Sequence, residues 1–223
     1  MAWRERTSMA SRRDDVGGVD VVECKVIMVG TVAVGKTSLT SRYVKDTFRS
    51  TVATTIGASY MWRKEVYDDI TLKFSLWDTA GQEQFHALVP MYFREADAVV
   101  LVVDATSNTC VQEAEMWLDK VRQNAPEGTT IFLALNKVDL RDRRVFSYDE
   151  AEEFCRNHPE YDIQCGDVSA KTGEGVHKAF HSLGERCLRK LAQRQQPKRG
   201  ESTINFSQKK TETPEGDKKK CPC

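Results

Sequence analysis

Eight consecutive residues, Gly30-Thr31-Val32-Ala33-Val34-Gly35-Lys36-Thr37, have the form G-x-x-x-x-G-K-[ST] and are followed by Ser38. In such a loop, successive backbone N–H groups and a helix N-terminus surround a phosphate chain, and the glycines let the backbone approach it closely. Lys36 is then placed to reach the β- and γ-phosphates, and the Thr37 hydroxyl to bind Mg²⁺. The bland alternative is a chance glycine turn followed by a surface lysine. By itself the motif says only that nucleotide phosphates are bound. It does not separate a GTPase from an ATPase or a nucleotide kinase.

A second cluster addresses the base. Asn136-Lys137-Val138-Asp139 follows the apolar run TTIFLAL. A carboxylate at that strand end accepts two hydrogen bonds from guanine, at N1–H and the N2 amino group, whereas adenine offers an acceptor at N1 and no N2 donors. Asp139 would therefore attract guanine and repel adenine, Asn136 would tie its loop to neighbouring loops, and the Lys137 stem would cover one face of the base. A helix-capping Asp beside a solvated Lys is the competing reading of an isolated N-K-x-D. Ser169-Ala170-Lys171, at the end of the last strand, strengthens the base reading, because the Ala170 N–H could donate to guanine O6.

These residues need a scaffold that brings loops from across the chain to one edge. The sequence predicts strands over Val21–Gly30, Ile56–Val66, Thr71–Trp77, Ala98–Asp104, Thr130–Leu135 and Tyr161–Val168. Helical spacing falls between them at Lys36–Val44, Cys110–Gln123, Tyr148–Asn157 and Gly175–Gln193. In the last, Val176, Phe180, Leu183, Cys187, Leu188 and Leu191 recur on one face. Such alternation predicts an α/β fold, a mostly parallel six-stranded sheet with helices on both faces, with ligands bound at the carboxyl ends of the strands.

The 223 residues suit one domain, expected over 21–194, between polar segments 1–20 and 195–223 that have little to bury and are expected to be disordered. With 33 basic and 33 acidic residues there is no global field to favour nucleic acid, and none is expected as a partner. Cys24, Cys110, Cys155, Cys165 and Cys187 show no metal-ligand spacing and read as reduced thiols of a cytosolic protein. Residue 2 is Ala, which excludes myristoylation, no signal sequence is recognisable, and no apolar run is long enough to span a bilayer.

Taken in order and spacing, GTVAVGKT, Thr55 in TTIGASY, WDTAGQE (77–83), NKVD and SAK resemble the Ras superfamily of small GTPases. The blocks IGASY, KFSLWDTAGQEQF, FHALVPMYFRE and LVVDAT, with the terminal Cys-Pro-Cys, are most similar to its Rab branch, and TIGASY and HALVPMYF to the endocytic Rabs. The resemblance covers about Val21 to Arg194 and the last three residues. It implies that Thr55 contacts Mg²⁺ and the γ-phosphate in the GTP state only, and that Asp78 holds the Mg²⁺ shell. Gly81 would meet the γ-phosphate, Gln82 would orient the attacking water, and Phe48 would pack on the guanine edge. Tyr60, Trp77 and Tyr92 match an aromatic trio that presents a nucleotide-sensitive surface to effectors, although ordinary packing also suits large aromatics.

The same resemblance implies a monomer that binds GTP and GDP with Mg²⁺ and works with an exchange factor, a GTPase-activating protein, a GDP-dissociation inhibitor or escort protein, and effectors. Cys221 and Cys223, behind three lysines, would carry prenyl groups and anchor the chain to the cytoplasmic face of an intracellular membrane, expected to be endosomal. A redox or metal-binding C-x-C and an unmodified end are the alternatives there. Val32 departs from the family, which favours glycine or serine at this place. A stiff β-branched side chain there would crowd Gln82 and slow hydrolysis, unless Thr31 and Ala33 shift the loop to accommodate it.

Overall fold

The computed structural model describes residues 20–81 and 89–195. The chain runs β1 (Asp20–Val29), α1 (Lys36–Lys45), β2 (Ala58–Tyr67), β3 (Ile70–Thr79), α2 (Val89–Phe93), β4 (Ala98–Asp104), α3 (Cys110–Asn124), β5 (Thr130–Asn136), a 3₁₀ turn (Arg141–Arg143), α4 (Tyr148–Arg156), β6 (Asp162–Asp167) and α5 (Val176–Gln195). The six strands form one sheet in the order β2-β3-β1-β4-β5-β6. Every neighbouring pair is parallel except β2 and β3. That exception is the hairpin, whose two strands are joined by a short turn and so must run in opposite directions.

The expected strand ends lie within two residues of the observed ones. Asp20 belongs to β1 rather than to the N-terminal extension, because it pairs with Ile70 of β3. At the other end, α5 continues to Gln195, past the expected boundary of the domain. The sequence missed α2 and the 3₁₀ turn, which are too short to show a period.

The parallel strands are apolar because helices cover both of their faces. All seven residues of β5 are buried. On one face, Val26, Met28, Phe74, Val100 and Phe132 pack against Leu39 and Tyr43 of α1 and Val176, Phe180 and Leu183 of α5. On the other, Ile27, Val99, Leu101, Ile131 and Leu133 meet Phe93 of α2, Ala114, Trp117 and Leu118 of α3, and Phe154 of α4. Removing each such large side chain from water stabilises the fold by about 1.5–3 kcal/mol. Local signals agree with this packing. Ser147 and Glu150 form a reciprocal capping box at the start of α4, and α1 ends where Asp46 turns left-handed and its N–H bonds the Arg42 carbonyl.

The edge strand β2 is different. Tyr60, Trp62, Lys64 and Val66 are exposed, alternating with half-buried Met61, Arg63 and Glu65. Between β1 and β4 the order of strands reverses, and the loops leaving their carboxyl ends diverge there, the place where open α/β sheets bind ligands.

Candidate nucleotide site

A cleft of about 520 Å³ opens at this reversal. Its walls include Val32, Ala33 and Gly35 from the loop after β1, Lys36, Thr37 and Ser38 from the start of α1, Phe48 and Thr55 from the segment before β2, Gly81 after β3, Asn136 at the end of β5 with Lys137 and Asp139 after it, and Ala170 and Lys171 after β6. The expected residues Gly30, Thr31, Val34, Asp78 and Ser169 do not line it. They stand directly behind its walls and hold the lining in place. Gln82, Cys221 and Cys223 lie outside the described residues, as do segments 1–19 and 196–223.

At one end the loop from Gly30 to Thr37 folds around the Lys36 ammonium. Lys36 is 6% exposed and donates to the carbonyls of Gly30 at 2.9 Å and Thr31 at 2.7 Å. Burial pushes its pKa down to about 8, against the raising influence of Asp78. An ammonium has three N–H donors, so at least one remains for an anion in the cleft. Gly35 starts α1 at φ +101°, and a Cβ there would strike the Asn136 amide, so only glycine serves. Across from the loop, a Cβ on Gly81 would lie 2.5 Å from Lys36 Nζ and 2.7 Å from Thr31 O. The segment leaving β3 therefore touches the phosphate loop at this point. Val32 is 55% exposed and faces the cleft.

Next to Lys36 is a set of hard oxygen donors. Thr37 Oγ1 donates to Asp78 Oδ2 at 2.7 Å and lies 3.0 Å from Thr55 Oγ1, while Ser59 Oγ is 3.4 Å from the same carboxylate oxygen. Asp78 is fully buried, and its Oδ1 has no hydrogen-bond partner among the described residues. Burial raises the pKa of this carboxyl above the ordinary range, against the lowering pull of Thr37 and Lys36. A buried carboxylate oxygen without a partner is costly unless a cation satisfies it. Two hydroxyls and one carboxylate suit Mg²⁺, which takes few protein oxygens and keeps several waters, so the residues fit that ion.

The far end of the cleft is held by side-chain bonds between loops. Asn136 Nδ2 donates to Val34 O at 2.8 Å, and its Oδ1 accepts from the Ala170 N–H at 3.0 Å, both buried. Asn136 thus ties its loop to both neighbouring loops. The Ala170 N–H, the group expected to meet guanine O6, is the donor of that second bond. Ser169 Oγ donates to Asp139 Oδ1 at 2.7 Å and fixes the orientation of that carboxylate, with Lys171 Nζ 3.8 Å from Oδ2.

Two contributors escaped sequence reasoning. Asp104, at the end of β4, accepts from Lys137 Nζ at 2.6 Å and pins the stem expected to cover the base. Burial raises the Asp104 pKa, but the bonds from Lys137 and Thr106 outweigh it and hold the carboxyl below its usual range. Its place at a strand's carboxyl end was the one available signal. Glu113 on α3 accepts from Thr31 Oγ1 at 2.6 Å and secures the phosphate loop from behind. No local pattern marks it.

The aromatic trio is contiguous. Trp77 meets Tyr60 edge-on at 5.5 Å and Tyr92 at 6.4 Å, and the Tyr92 hydroxyl lies 3.5 Å from where a Cβ on Gly57 would sit. Tyr60 is 46% exposed, whereas Trp77 and Tyr92 also pack on the core beside α2 and α3. The trio therefore joins a surface to the segment that leads to Thr55.

The family model described as Ras family matches residues 25–189. Ras-related protein RABF2a of Arabidopsis thaliana is 36% identical over 168 residues, which cover 75% of this chain and 82% of that protein. With a lysine-bearing phosphate loop, a hydroxyl–carboxylate cluster beside it and an oriented aspartate at the far end of one cleft, the chain belongs to the Ras family and, within it, to the Rab branch of small GTPases, enzymes that hydrolyse GTP.

Proposed function

We propose that the cleft binds GTP and GDP with Mg²⁺ through the residues described above, and that the protein is a membrane-anchored switch in vesicular, endosomal traffic. The observation that carries the nucleotide reading is the double tie of Asn136, which joins the phosphate loop to the Ala170 loop beside the cleft that Asp139 and Lys36 both line. Asp139 reads the base, the loop from Gly30 to Ser38 holds the phosphates, and Phe48 packs beside the guanine. Thr37, Thr55 and Asp78 would hold the Mg²⁺, which when bound supplies positive charge beside the phosphoryl oxygens. Gln82 orients the attacking water. On the family resemblance Thr55 meets the γ-phosphate in the GTP state only, so loss of that phosphate frees the Thr55 segment and, through Tyr92 beside Gly57, alters the aromatic trio that effectors read.

Regulation then falls to an exchange factor, an activating protein and an inhibitor or escort protein that handles the lipidated form. Two prenyl chains on Cys221 and Cys223 give stable anchoring where one gives marginal binding. The endosomal assignment rests on the likeness of TIGASY and HALVPMYF to endocytic Rabs. The exposure of Val32 favours a second feature, slow hydrolysis with a blunted response to an activating protein, which makes the GTP-bound recruiter the dominant form.

Asp139→Asn tests the base site. The amide presents a donor where guanine needs acceptors, so guanine affinity should fall by about 2–4 kcal/mol while xanthine nucleotides gain. An unchanged guanine preference in competition binding refutes the assignment. For the anchor, Cys221→Ser with Cys223→Ser should leave nucleotide affinity intact and release the protein from membranes; pelleting of the double variant with membranes would show that another anchor operates.

A further inference from the structure

The described bonds to the Ala170–Lys171 segment come from two directions. Ser169 and Ala170 are tied towards β5 through Asp139 and Asn136. From the opposite side comes a single side chain, that of Arg42 on α1. Its Nε donates to the Ala170 carbonyl at 3.0 Å and its Nη2 to the Lys171 carbonyl at 2.7 Å. The remaining Nη1 donates to the Asp46 carbonyl at 3.0 Å and to Asp46 Oδ1 at 2.8 Å. Only 14% of the side chain is exposed, and a Cβ on Gly173 would come within 3.6 Å of Arg42 Cδ, so the stem is packed beneath the same loop.

Three properties make this more than a surface contact. The two carbonyls belong to consecutive residues that line the cleft, so the guanidinium grips the loop's backbone where it faces the ligand. A planar fork serves several acceptors at once with little entropy lost per bond, which an ammonium on a flexible stem cannot do. Finally, Arg42 is carried by the ten-residue helix α1 that begins with Lys36 and Thr37. One rigid element therefore presents the phosphate contacts at its start and a strap on the base loop near its end.

We propose that Arg42 is a positioning residue that sets how long a guanine nucleotide stays bound, by holding the Ala170–Lys171 loop against the base end of the cleft. The proposal rests on the reading of the cleft as a guanine-nucleotide site. Among the described residues Arg42 reaches none of the groups assigned to the γ-phosphate, so its loss shortens residence and leaves the chemical step alone. The neutral carbonyl acceptors are left without their charged donor when it is removed, and such bonds are among the stronger ones in proteins.

The experiment uses the full chain. Dissociation of fluorescent GDP and GTP is followed for the wild type, Arg42→Ala, Arg42→Lys and Asp46→Ala, with single-turnover hydrolysis of preloaded GTP measured beside it. Arg42→Ala should release both nucleotides about 10–100-fold faster, with hydrolysis of the bound GTP within about twofold of wild type. Arg42→Lys, which keeps the charge and loses the fork, should fall between, and it remains informative if the alanine variant does not fold. Asp46→Ala removes the arm at the helix end but neither loop carbonyl, so its dissociation should stay near wild type. Dissociation from Arg42→Ala and Arg42→Lys within about twofold of wild type, or hydrolysis slowed in parallel with faster release, overturns the strap. If the unaltered protein binds no guanine nucleotide, the site reading fails and the strap with it; normal binding with unchanged release ends the strap alone.

Discussion

The two ends of the cleft are built by different means. The phosphate end is a continuous stretch, Gly30 to Ser38, in which backbone carbonyls and one lysine close on each other over five or six residues. At the base end, the parts come from the ends of β5 and β6 and are joined by side-chain bonds, one of which reaches Val34 across 102 residues of chain. A phosphate presents charge in every direction, and a local nest of N–H groups suffices for it. A purine edge must be met by particular atoms in particular orientations, which only a folded assembly can hold. Damage to the first end should therefore act on chemistry and charge, and damage to the second on affinity and selectivity.

The most severe test removes the residue the two ends share. Asn136→Ala leaves the Val34 carbonyl and the Ala170 N–H buried without partners, at a cost of about 2–5 kcal/mol. Thermal stability and nucleotide affinity should fall together. A variant with wild-type affinity would mean that the two ends are independent. Asp139→Asn comes next, with an expected loss of guanine affinity of about 30–1000-fold at the base end alone. The ratio of GTP to GDP affinity should be retained, and a change in it would blur this division.

Val32→Gly addresses the phosphate end. Single-turnover hydrolysis should rise by about tenfold, and further with an activating domain, with GTP affinity unchanged. Equal rates for both proteins would show that the valine is accommodated. The smallest effect is expected for Asp104→Asn. The Lys137–Asp104 pair is partly exposed, so losing its charge should cost only about 1 kcal/mol, read as roughly fivefold faster GDP release. A change in hydrolysis instead would place Lys137 nearer the phosphates than the cleft geometry suggests.

The same division explains what could be read in advance. The phosphate loop lies in one stretch between a buried strand and a helix, so its residues and their order carry its geometry. The strands were legible because apolar runs such as TTIFLAL leave no alternative to burial on both faces. Asn136, Asp139 and Ser169 were legible as types at strand ends, but not the bonds among them: the commitment of the Ala170 N–H to Asn136 depends on a distance that folding sets. Arg42 and Glu113 were silent, and Asp104 was marked only by its place at a strand end, because each acts on a partner far away in the chain. Short α2 was missed for want of a full period, although its Phe93 is fully buried and its Tyr92 touches Trp77.

One property of the edge strand limits how this surface can diversify. Along β2 the outward residues Tyr60, Trp62, Lys64 and Val66 share one parity, and Met61, Arg63 and Glu65 the other. A one-residue slip in the pairing of β2 with β3 would exchange the two sets, turning Arg63 and Glu65 outward and driving Trp62 and Lys64 towards the helices. Arg63 would lose its bond to the Tyr43 carbonyl. Substitutions at Tyr60, Trp62, Lys64 and Val66 thus rewrite this surface letter by letter at fixed places, while a change of spelling length is tolerated only at the ends of the hairpin.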